Sequence, residues 1–205
     1  MKKTLSVLMI SSILFGGIIS AHGAEINGED SASITVNGTL GQDNEDENGP
    51  NIEEGSKDWI NVTLDTANIF YTTKESNHAD ITSPEYKITN NSGRGVKITV
   101  NDFSLNSGNL DNVDSLSISS KDTFDGAKSV DLKTFNGGEF ITLGNNQGKL
   151  DVEADGFSTY KNETTYTYSG KTKSDYYKSK AEKTTHTLTL GFEALDKNGH
   201  SVVAP

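Results

Sequence analysis

The single tryptophan, Trp59, stands in Ser56-Lys57-Asp58-Trp59-Ile60-Asn61, at the start of an alternating stretch. An exposed tryptophan beside polar side chains is a common sugar platform, because its flat apolar face stacks on pyranose C–H groups. Ile60, Val62 and Leu64 take the inward parity, which leaves Trp59 with Asn61, Thr63 and Asp65 on the outward face. The competing reading has Trp59 fold over the rim of the sheet or lie under the acidic loop. A second candidate surface is Tyr160, Tyr166, Tyr168, Tyr176 and Tyr177, interleaved with Lys161, Lys171, Lys173, Lys178, Lys180 and Lys183. Aromatic and cationic residues on one segment suit sugar stacking or pairing with anionic polymers. Tyrosines on exposed strands also stabilise sheets through cross-strand pairs. A third candidate is Asn44-Glu45-Asp46-Glu47-Asn48-Gly49, where Asn44, Asp46 and Asn48 occupy the first, third and fifth places of a calcium loop. Its twelfth place is Gly55, however, and no flanking helix is expected, so a solvated acidic loop over about 41–58 is the simpler reading.

Other chemistries find less support. The chain has no cysteine, which removes disulfides, Cys-ligated zinc and thiol catalysis. His78, His186 and His200 lack ligand-like spacing, and His186 reads as a sheet-edge residue. There is no G-x-S-x-G elbow, and Gly93-Arg94-Gly95 lacks the further glycine and helix of a phosphate cradle. Asp151-Val152-Glu153-Ala154-Asp155-Gly156 matches the calcium template too, but its acids read as the solvent face of a strand. No cofactor is expected apart from calcium.

The elements that position these residues are strands. Period-two sets recur at Ile34, Val36 and Leu40; at Ile60, Val62 and Leu64; at Tyr86 and Ile88; and at Val96, Ile98 and Val100. They continue at Leu116 and Ile118, at Leu150, Val152 and Ala154, and at Leu188, Leu190, Phe192 and Ala194. Turn signals such as Asn90-Asn91-Ser92-Gly93 and Asn136-Gly137-Gly138 separate them. After Val100 the parity passes to Phe103 and Leu105, which predicts a bulge near Asn101-Asp102. Residues 171–183 fit either a helical turn or a long hairpin. The expectation is an all-β protein, one antiparallel β-sandwich over 25–205.

Residues 1–24 have the layout of a secretory signal peptide: Lys2-Lys3, an apolar run from Leu5 to Ile19, and small residues ending in a cut within 21–24. No second apolar span and no covalent wall-anchor motif follow, so an extracellular protein without a membrane span is expected. Charge is uneven in the mature chain. Residues 25–65 hold eleven acids and one base, whereas residues 157–205 hold five acids and seven bases. The overall acidity argues against nucleic acid as partner.

The strand Ser33-Ile34-Thr35-Val36, the polar loop after it, Tyr86-Lys87-Ile88-Thr89-Asn90-Asn91-Ser92-Gly93-Arg94-Gly95-Val96-Lys97-Ile98-Thr99-Val100, and the closing His186-Thr187-Leu188-Thr189-Leu190-Gly191-Phe192 follow one another in an order that resembles the WxL cell-surface proteins of low-GC Gram-positive bacteria. Both W-x-L positions are degenerate, reading Val96-Lys97-Ile98 and Leu188-Thr189-Leu190 or Leu190-Gly191-Phe192. The resemblance implies non-covalent attachment to peptidoglycan, in which the missing tryptophans are implicated. The functional expectation is a secreted, non-enzymatic surface protein that binds a wall polymer, peptidoglycan or teichoic acid, or other surface proteins. The alternatives are an extracellular carbohydrate-active enzyme and a self-assembling fibre subunit.

Overall fold

The computed structural model describes residues 43–48, 52–121, 127–153, 161–174 and 181–202. The expected signal segment, the strand expected at Ile34, Val36 and Leu40, and Tyr160, Tyr176 and Tyr177 lie outside them. Among the described residues a 3-10 turn at Lys57–Trp59 is followed by ten strands. They are β1 (Val62–Leu64), β2 (Tyr71–Thr72), β3 (Asp80–Thr82), β4 (Tyr86–Asn90), β5 (Val96–Ser107), β6 (Val113–Lys121), β7 (Ser129–Asp131), β8 (Gly138–Leu143), β9 (Glu163–Thr172) and β10 (Thr185–Ala194). Threonine, valine and isoleucine dominate these strands, as a pleated, half-buried surface favours.

The strands form two antiparallel sheets packed as a β-sandwich. The larger, seven-stranded sheet runs β1, β4, β9, β6, β7 across its width, and β3 with β2 continues the β4 row along β9. The smaller sheet has three strands in the order β10, β5, β8. Between them lies the core of Ile88, Ile98, Leu116, Ile118, Phe140 and Leu143, each at most 1% exposed. Full burial of one such side chain contributes about 1.5–3 kcal/mol. One side of the sandwich is closed where β7 meets β8: Gly138 lies under Val130, and Glu139 bridges Lys97 and Lys128, which hold its carboxyl down at about 2. On the other side β10 faces β1 and β2 without a covering strand among the described residues.

The bulge falls where the parity shift places it. Thr189 pairs with Asp102 and Leu190 with Val100, so Asn101 is the extra residue. Two expectations are corrected. Asp151-Val152-Glu153 is a bend rather than a strand; Asp151 Oδ1 accepts from the Glu153 amide, and the Val152 amide donates to the Lys197 carbonyl. Tyr166 and Tyr168 are not peripheral: they lie in β9, the central strand of the larger sheet, between β4 and β6.

Candidate functional site

Trp59 is 0% exposed, which overturns its reading as an outward sugar platform. It closes a 3-10 turn capped by the Ser56 side chain, and the strand begins only at Val62, so strand parity does not extend back to it. Its ring packs with Ile52 and Ala194, and the Arg94 guanidinium lies 4.3 Å from the ring centroid on one face. Arg94 itself is buried. Its Nε and Nη2 grip the Glu54 carboxylate at 2.6–3.2 Å, and Nη1 donates to the Glu47 carbonyl at 2.6 Å.

The acidic segment is therefore clamped where it is described, not freely solvated. The Gly93 amide donates to the Asn44 carbonyl at 2.7 Å, and Asn146 Nδ2 donates to the Glu45 carbonyl at 2.6 Å. Asn61 joins the same network: its Nδ2 donates to Asn44 Oδ1 and Glu45 Oε1, each at 3.2 Å. Of the three calcium candidates, Asn44 thus has its side chain committed to Asn61 and the Asp58 carbonyl, and Asp46 Oδ1 accepts from the Asn48 amide. Among the described residues no group of three or more histidines and carboxylates is arranged to hold a metal ion. The turn below is fixed by Asn90, fully buried, whose Nδ2 donates to the Arg94 and Gly144 carbonyls at 2.7 and 2.8 Å.

Tyr166 and Tyr168 are a second correction. They occupy the inward face of β9, 2% and 4% exposed, and cannot present their rings to a surface ligand. Both hydroxyls donate to Asn68 Oδ1 at 3.0 Å, while Tyr86 Oη accepts from the Ile69 amide and donates to its carbonyl. Three tyrosines thus pin the β1–β2 connection. Burial pushes the Tyr166 phenol up to about 12 and raises that of Tyr168 as well.

Beside this cluster the open side of the sandwich forms a cleft of about 1180 Å³. On the β10 side it is lined by His186, Leu188, Leu190 and Phe192, all only partly buried; Phe70 and Leu64 face them. His186 stacks on Phe103 with centroids 4.5 Å apart, and burial lowers its pKa. At the cleft mouth Asn112 ties two chain segments together: its carbonyl accepts from the Lys173 amide, and its Nδ2 donates to both Glu182 oxygens. Three exposed lysines stand at this end. Lys173 and Lys183 project from it, and Lys171 pairs with Asp80.

Of the candidate contacts, then, the structure gathers Asn44, Asp46, Asn61 and Trp59 at one end and leaves Lys171 and Lys173 exposed at the other, with Tyr166 and Tyr168 inside. Arg94 and Asn90 were not legible as anchors, since Arg94's partner Glu54 lies 40 residues away in sequence. No protein-family model matches the chain, and no curated protein matches it.

Proposed function

We propose that the mature chain is a secreted, non-enzymatic β-sandwich of the Gram-positive cell surface, held non-covalently by an anionic wall polymer. Its contact is the lysine end formed by Lys171, Lys173 and Lys183. One observation carries this choice of contact: the aromatic candidates Trp59, Tyr166 and Tyr168 are interior, whereas these three lysines are exposed. Point charges on flexible stems suit the phosphates of a teichoic acid without demanding a fixed geometry. The sequence adds the charge separation and the signal peptide. The likeness to WxL proteins adds the wall as the place of attachment. The two degenerate W-x-L positions fall on neighbouring strands, where Ile98 pairs with Phe192 and Val96 with Ala194.

The test is retention of the mature protein on purified Gram-positive walls before and after removal of teichoic acid. Retention by intact walls is expected, with a loss of about tenfold or more in the triple variant Lys171→Gln, Lys173→Gln, Lys183→Gln. Equal retention of the variant, or retention that survives removal of the polymer, would overturn the lysine end as the contact.

A further inference from the structure

Five asparagines in the chain precede glycine, the pairing in which no Cβ shields the following amide nitrogen from the asparagine side chain. Two of these pairs lie wholly within the described residues: Asn136-Gly137 just before β8 and Asn198-Gly199 after β10. The fold restrains them differently. The Gly199 amide donates to the Asp196 carbonyl at 3.0 Å, and the amides of Asn198 and His200 on either side donate to Asp196 Oδ1 at 2.9 and 2.8 Å. Gly199 is also walled in, since a Cβ there would lie 2.6 Å from Leu150 Cγ. Its nitrogen is committed to a turn.

Asn136-Gly137 lacks these restraints. Both residues are exposed, and neither makes a hydrogen bond among the described residues. Gly137 and Gly199 share a φ of +78°, so backbone conformation does not separate the two pairs. What separates them is the bonded amide of Gly199 and the room around Gly137, where a Cβ would approach only the Val100 carbonyl oxygen, at 3.6 Å.

We propose that Asn136 is a site of self-modification, deamidating through the Gly137 nitrogen while the protein remains folded. That nitrogen loses its proton to solvent base and bonds to Asn136 Cγ; the Cγ–Nδ2 bond breaks, and ammonia leaves with a proton from water. Water then opens the cyclic imide at either of its carbonyls, giving aspartate by one route and isoaspartate by the other. Water is the only co-reactant. Either product places a new carboxylate three residues ahead of Glu139, whose own carboxylate bridges Lys97 and Lys128. Isoaspartate also adds a methylene to the main chain immediately before Gly138, which pairs with Val100 and lies under Val130. The change thus falls where β7 meets β8 and the sandwich is closed. This inference is independent of wall binding.

The two pairs serve as each other's control within one molecule. The mature chain is held folded at mildly alkaline pH and sampled over time, and peptide mapping by tandem mass spectrometry follows Asn136 and Asn198 separately. Asn136 is expected to convert about tenfold faster, because the hydrogen-bonded turn at Gly199 must open before its amide can react. In denaturant, with that turn gone, the two rates should approach one another. Asn198 converting as fast as Asn136 in the folded chain would overturn the proposal, and so would an Asn136 that reacts only in denaturant. Asn136→Gln, whose longer side chain closes a less favourable ring, should accumulate no acidic form at this position and should melt as wild type does, since Asn136 is exposed. Chains bearing isoaspartate should melt below the Asn136→Asp variant, which carries the charge without the added methylene. Equal melting of the two would overturn the stated effect on β8.

Discussion

Removing the guanidinium of Arg94 would leave the Glu54 carboxylate without its fork, the Glu47 carbonyl without its donor and one face of Trp59 without its cover. Breaking a fully buried pair costs about 3–5 kcal/mol, but the Glu54 side chain is 37% exposed and regains water. Arg94→Ala is therefore expected to cost about 2–3 kcal/mol, lowering the melting temperature by about 5–10 °C. Arg94→Lys retains the charge and loses the bidentate grip, at about half that cost. Thermal unfolding of the two variants beside wild type checks both. The tyrosines give a pH prediction. Their folded-state pKa values are raised, so the stability they contribute is complete below the ordinary phenol value of 10 and is lost as pH climbs through about 12 for Tyr166. Alkaline unfolding should set in above pH 10 and coincide with a cooperative rise in phenolate absorbance. Tyr166→Phe should move that onset upward, and an unchanged onset would deny the buried phenol this role.

At the scale of elements, close approach decides which glycines are required. In β9 a Cβ on Gly170 would lie 2.0 Å from the Ser115 carbonyl oxygen, at the irregular register between Val113 and Ser115 of β6. The obstacle is backbone, so the central strand pair would have to part. In β10 a Cβ on Gly191 would meet the Asn101 amide at 2.4 Å, the tip of a side chain that can swing aside. Gly170→Ala is expected to cost about 3 kcal/mol and Gly191→Ala under about 1 kcal/mol, read from urea midpoints. The same strands show what periodicity could and could not reveal. The parities of β4, β5, β6 and β10, and the bulge at Asn101, were legible because their inward residues are plainly apolar. β9 was not, because its inward residues are Thr164, Tyr166 and Tyr168, whose hydroxyls become buried only with an acceptor such as Asn68, 98 and 100 positions away. Trp59 misled for a different reason, lying in a 3-10 turn where the two-residue period no longer holds. The Leu150–Ala154 alternation is real in sequence, yet the Val152 amide bonds to Lys197 in a bend, with no ladder among the described residues.

For the whole molecule the decisive property is the separation of charge. Among the described residues Asp43, Glu45, Asp46, Glu47, Glu53, Glu54 and Asp58 stand at the Trp59 end, while Lys171, Lys173 and Lys183 stand at the cleft mouth. Salt acts on two consequences of this arrangement with opposite sign. The net negative charge of the chain repels itself, so screening should leave the melting temperature unchanged or raise it slightly. Attraction between the lysine end and an anionic polymer depends on exposed charges, and the Debye length shrinks from about 10 Å at 0.1 M salt to about 3 Å at 1 M. Retention on teichoic-acid-bearing walls should therefore fall severalfold across that range while the fold is undisturbed, as parallel pull-down and thermal melting would show. A loss of retention that tracks unfolding would instead point to a contact built from the folded core, and retention indifferent to salt would point to an apolar or hydrogen-bonded contact. The lysine reading requires the two curves to diverge.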